Sequence, residues 1–187
     1  MLYDLQKKCR SYRRFDVTKR ISRDELVSFV ECARLTPSAG NLQRLRYKLV
    51  TDEKTCDEIF DTLKFAAYLK DWSGPAECER PAAYIIIASM AEADVNLSID
   101  IGICAEAIAL SAAEQGIGYC MFRSFSKEKV SAIALPEGIK PHLVMAFGYP
   151  SETVLLSDAE NGDIKYFRDH EDRHITPKLP LDTLLLD

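Results

Sequence analysis

Residues 94 to 116 read DVNLSIDIGICAEAIALSAAEQG, a long run of alanine, isoleucine and leucine with few charges. A helix that is apolar on nearly every side has to bury most of its circumference. This segment therefore predicts a long central helix wrapped by the rest of the chain. Gly116 and Gly118 provide its stop.

The other elements fall around it. Residues 2 to 9 predict a short helix. In SRDEL, Ser22 stands as a helix N-cap with Glu25 three residues on, a capping box. Apolar residues at helical spacing follow (Leu26, Phe29, Val30, Ala33), and Pro37 ends the helix. RYKLVT (46–51) predicts a strand. Residues 52 to 72 begin helical and finish in an aromatic stretch, and Pro75 and Pro81 mark a loop. AAYIIIASM (82–90) is a continuous apolar run, which predicts a strand buried on both faces. YCMFRSF (119–125) and HLVMAFGYP (142–150) predict two more strands, with a short capped helix at SKEKVSAIAL between them. Beyond 150 the chain turns polar and irregular, with a turn at AENGD, a possible strand at IKYF and a leucine-rich end, PKLPLDTLLLD. These strands predict one sheet covered by helices in a single domain, 1–187. The apolar tail hints at a partner subunit.

Bulk properties remove several function classes. A net charge of -5 does not suit a general nucleic-acid binder. No apolar run is expected to cross a membrane, and MLYDLQKKCR lacks the apolar core of a leader peptide. Six scattered cysteines without a C-x-x-C pair read as reduced thiols, which points to the cytoplasm. His170 and His174 sit four apart in RDHEDRH but have no third ligand in sight, so no metal site is expected.

Two short stretches carry the chemistry. RSYRRF (10–15) supplies Arg10, Ser11 and Arg13, planar multidentate donors plus a hydroxyl, the set that a phosphate dianion requires. No G-x-G-x-x-G and no P-loop is present, so any phosphate must be held by side chains. PSAGNLQ (37–43) joins small residues to Ser38, Asn41 and Gln43, which suits a flat, polar-edged heterocycle. Read alone, each stretch is equally a charged turn and a helix-stop loop.

In order, RSYRRF, PSAGNLQ, DIGICAEAIALSAAEQGIGYCMF and PHLVMAFGYP resemble the nitroreductase family over nearly the whole chain. The family's pattern is R-S-x-R-x-F followed by P-S-x-x-N-x-Q. The resemblance implies an α+β fold with a mostly antiparallel central sheet flanked by helices. It implies FMN at the interface of an intertwined homodimer whose C-terminal segments are exchanged. It implies hydride from NADH or NADPH passing through the flavin to a nitroaromatic, quinone or similar acceptor, the two substrates taking turns. Carried over residue by residue, Arg10, Ser11 and Arg13 hold the phosphate and the polar ring edge. Pro37, Ser38, Asn41 and Gln43 approach from the other subunit. Cys120, Met121 and Phe122 lie by the ring. Lys178 matches the basic residue near the end that reaches the phosphate, with Lys165 and Arg168 as weaker matches. No catalytic acid, base or nucleophile is expected, because the chemistry belongs to the flavin.

The chain also departs from the pattern. Arg44-Leu45 stands where many members have Pro-Trp. The segment 64–75 has no counterpart in the motifs, and its Tyr68, Lys70 and Trp72 are candidates for an acceptor pocket or for simple packing. The 156–175 insertion is unassigned. Two other functions fit the same motifs: a non-enzymatic flavin-binding or regulatory protein, and a specialised dehalogenase-like enzyme.

Overall fold

The computed structural model describes residues 1–186. Its main sheet is four-stranded and antiparallel throughout, in the order β1 (Arg46–Val50), β2 (Ala83–Ser89), β4 (Lys140–Gly148), β3 (Gly118–Phe122). All seven residues of β2 are buried, as its unbroken apolar sequence requires. Alternation along the strand sends Ile85 and Ile87 to one face, where α2 (Arg23–Arg34) and α4 (Val95–Glu114) pack. Tyr84 and Ile86 go to the other face, against α3 (Glu53–Phe60) and α5 (Lys127–Ala134). Helices thus cover both sides of one sheet, an α+β architecture.

Local signals in the sequence match the elements. The capping box of α2 is formed, with Ser22 Oγ accepting from the Glu25 amide and the Glu25 carboxylate accepting from the Ser22 amide. Helix α4 starts at the side-chain cap of Asp94 and ends before Gly116, whose φ of 73° only glycine adopts freely. Short α1 (Leu2–Lys8) lies across α4 and buries none of its residues.

Three sequence expectations are corrected. The strands form two sheets rather than one. A separate three-stranded sheet, β5 (Val154–Asp158), β7 (His174–Lys178) and β6 (Phe167–Arg168), is built by the polar C-terminal region, and of IKYF only Phe167 is in a strand. It is mixed, with β5 and β7 parallel, because the chain between them makes room for β6 to pair antiparallel with β7. Second, α4 is long and apolar enough to cross a membrane by length and composition, with a mean hydropathy of 1.5. Its inward face nonetheless packs on α2 and the sheet. Third, its circumference is less buried than expected. Val95, Ile99 and Ile103 are 77%, 55% and 37% exposed and lie four residues apart, one apolar stripe facing out of the protomer.

Candidate functional site

The RSYRRF strip lies on the free edge of the main sheet. Ser11 bridges to Tyr119 of β3 in parallel, and the Tyr12 amide donates to the Tyr119 carbonyl at 2.8 Å. Phe15, Asp16 and Ser151 add backbone bonds to Glu79, Tyr149 and Arg14. Two glycines paired across β3 and β4 allow this close docking. A Cβ on Gly148 would sit 2.8 Å from the Phe15 ring, and one on Gly118 would sit 2.8 Å from Tyr12 and Pro150.

The strip is also gripped from the C-terminal side. Glu152, whose side chain is 2% exposed, accepts from the Arg13 and Arg14 amides with one oxygen. Its other oxygen pairs with Arg168 at 2.7 Å. This contact uses Arg168 as a structural cation. Arg14 points away to Asp172 and Glu79.

The gripped strip opens onto a cavity of about 360 Å³ lined by Arg10, Ser11, Arg13, His174 and Lys178, with Cys9, Tyr119 and Glu106 beside them. Lys178, near the end of the chain, thus shares a cavity with arginines near its start. Arg10 donates to the Gln6 carbonyl at 2.7 Å, and its Nε is buried without a partner. Lys178 has no ion-pair partner among the described residues. Three cations, a hydroxyl and an orphaned guanidinium N–H make a donor set that fits a phosphate.

Glu106 also lines a second cavity, of about 340 Å³, walled by Ile101, Gly102, Ala105, Met121 and Leu143. Arg123, Lys127 and His142 complete the lining of this second cavity, so both cavities carry basic side chains, and Glu106 is the wall they share. Of Cys120, Met121 and Phe122, only Met121 lines this groove. Cys120 and Phe122 alternate to the opposite face and are buried with α3 and α5. Because Tyr119 turns its carbonyl to the open edge, so does Met121 two residues later, leaving its N–H and C=O free there.

The PSAGNLQ loop is elsewhere. Pro37, Ser38 and Ala39 line a shallow cleft with Asn96, Ile99 and Ile103, on the exposed stripe of α4. Asn41 and Gln43 are exposed and hold positive φ, 53° and 47°. None of the four predicted loop residues lines the arginine cavity of the same chain. The loop hangs on buried Asp100, which accepts from the Ala39 amide at 2.9 Å. Arg44 supplies a second anchor, a two-pronged pair with Asp94, the cap of α4, at 2.8 and 3.1 Å. That pair lowers the Asp94 carboxyl to a pKa of about 2, chiefly through the hydrogen bond from Arg44.

Tyr68 and Trp72 pack the 64–75 segment against the small sheet. Tyr68 meets Tyr166 at a tilt of 55° with ring centroids 4.9 Å apart, and Trp72 lies under the guanidinium groups of Arg168 and Arg14 at 5.3 and 5.8 Å. Lys70 is exposed, and none of the three lines the arginine cavity. The sequence reading missed His174 and Glu152. His174 drew notice only as one of two histidines four residues apart, and Glu152 drew none, because the burial that marks both appears only in the folded chain.

The family model described as Nitroreductase family matches residues 7–149, most of the chain. The chain belongs to the nitroreductase family. Solved structures agree on the fold. The nitroreductase family protein of Streptococcus pneumoniae TIGR4 is 16% identical, with full coverage of both chains and a TM-score of 0.70. The NADPH:FMN oxidoreductase of Vibrio harveyi is 18% identical, with 99% of this chain and 76% of that one covered, at 0.68. An FMN-dependent nitroreductase of Clostridium difficile R20291 is 20% identical, with 84% and 91% covered, at 0.63. No curated protein matches the chain by sequence. The family match stops at residue 149, so Glu152, the small sheet and Lys178 lie outside it.

Proposed function

We propose that this nitroreductase-family chain is a cytoplasmic, FMN-dependent and NAD(P)H-oxidising reductase that works as a homodimer. The observation that carries the reading is the cavity that unites Arg10, Ser11, Arg13 and Lys178 from the two ends of the chain. When bound, FMN supplies hydride chemistry between NADH or NADPH and a nitroaromatic, quinone or similar acceptor, taken in ping-pong order.

The chain's own residues bind and orient. Arg10, Arg13 and Lys178 neutralise the phosphate, and the Ser11 hydroxyl completes its shell. Met121 walls the neighbouring cavity and offers its backbone N–H and C=O to a polar ring edge. Pro37, Ser38, Asn41 and Gln43 come from the second copy, whose docking on the Val95–Ile99–Ile103 stripe brings their loop to the groove. The leucine-rich tail, with Leu181, Leu184 and Leu185 exposed, crosses to that partner. No side chain acts as nucleophile. All six cysteines are free thiols, which suits a reducing compartment.

The test is a visible spectrum of the purified protein after FMN is added and excess removed, followed by anaerobic NADH or NADPH. Flavin bands that persist and bleach are the expected result. Bands that persist without bleaching favour a flavin-binding protein that is not a reductase. Protein that retains no flavin overturns the reading.

A further inference from the structure

The region beyond residue 149 places one more side chain at the cavity. His174 opens β7 and is 1% exposed. Its amide is fixed to the Thr153 carbonyl, and it stands in register with Val154 of β5 and Arg168 of β6. Its Nε2 lies 3.0 Å from Nη1 of Arg13. A guanidinium has only donors, so Nε2 accepts and the imidazole proton resides on Nδ1. The ring of Tyr166 closes the arrangement, 4.6 Å from the Arg13 guanidinium and 5.1 Å from the His174 ring.

We infer that His174 is a positioning residue for the cofactor: with Tyr166 it holds the Arg13 guanidinium in one orientation at the anion cavity. Arginine carries a flexible four-bond side chain, and ordering it on binding costs free energy that a preset geometry removes. Nη1 is committed to His174 and to the Ser11 carbonyl at 3.2 Å. The Nε and Nη2 hydrogens have no protein acceptor among the described residues and remain for a ligand. Burial and the neighbouring Arg13 and Arg168 cations keep the imidazole neutral, so the contact attracts Arg13 where a charged ring would repel it. The inference rests on FMN being the ligand of this cavity.

The test uses the full-length protein and FMN affinity, read by flavin fluorescence quenching. In His174→Gln the amide oxygen stands in for Nε2. In His174→Asn the amide lies nearer Nδ1 and falls short of Arg13. We expect His174→Phe and His174→Asn to weaken FMN binding about tenfold, and His174→Gln to stay within about threefold of the parent. In an Arg13→Ala background, His174→Phe should have no further effect on affinity. Thermal unfolding of each apo-variant separates loss of fold from loss of the clamp. Equal affinity in His174→Phe and the parent, equal losses in His174→Asn and His174→Gln, or an undiminished loss in the Arg13→Ala background would each overturn the clamp while leaving the FMN reading intact. A parent protein that binds no FMN overturns both.

Discussion

The two motifs that carry the resemblance are built in opposite ways. In the RSYRRF strip, Tyr12, Arg13, Arg14 and Phe15 all have their amides bonded to other parts of the chain, as does Asp16 just after it, and Arg13 is held by a buried histidine. The PSAGNLQ loop is exposed, carries two positive-φ residues and hangs on Asp100 and Arg44. One half of the proposed site is completed inside the protomer. The other half is displayed beside an apolar stripe, where a second copy would use it. Tight tertiary anchoring belongs to the half that must present charge, because misplaced guanidinium groups lose their multidentate geometry.

The largest effect should come from breaking the anchored half. Glu152→Ala leaves Arg168 without its closest partner and frees two amides, which should cost about 3 kcal/mol or more of stability in urea unfolding. An unchanged midpoint would mean that the strip is held by its sheet contacts alone.

Acid should weaken the same half by a comparable amount. His174 has its pKa lowered from 6.5 to about 4, by burial first and then by Arg13 and Arg168. Below 6.5 the unfolded chain takes up a proton that the folded chain refuses. Stability contributed by the neutral ring is therefore full above pH 6.5 and is lost as pH falls towards 4, on the order of 3 kcal/mol in total. Unfolding from pH 7.5 to 4.5 reads it directly. The His174→Phe variant should lack this component of the slope.

Arg10→Ala tests charge presentation rather than anchoring. FMN affinity should fall by about one to two orders of magnitude, as expected for one charge-assisted hydrogen bond, with little change in melting temperature. In the loop half, Ile99→Glu should leave the protomer folded and shift it towards monomer in sedimentation velocity. A variant that stays dimeric would separate the apolar stripe from the assembly. The smallest effect belongs to Asp100→Asn, which keeps an acceptor for the Ala39 amide and should cost under about 1 kcal/mol.

Much of the fold was legible because its signals are local. The capping box at Ser22, the unbroken run of β2 and the composition of α4 each dictate an element without help from distant residues. The C-terminal sheet was not, since its strands are short and paired in mixed directions, so the turn at AENGD showed but no alternation marked the strands on either side of it. Arg10, Ser11 and Arg13 could be singled out by type, and Lys178 by resemblance. His174 could not be, because its meaning lies in a contact to a residue 161 positions away. The helical spacing of His170 and His174 proved empty, as no helix forms there.

The arginine cavity also dictates an order of events. Its walls come from residues 6 to 13, from 106 to 119 and from 166 to 178. No nascent chain can assemble it until residue 178 has left the ribosome. The arginine strip is made well before its partners and must wait, unpaired, for the edge of β3 and then for Glu152. Loop closure over such separations is slow, so the ability to hold an anion should be among the last properties this chain acquires as it folds. Refolding followed by FMN quenching should lag behind recovery of helical signal.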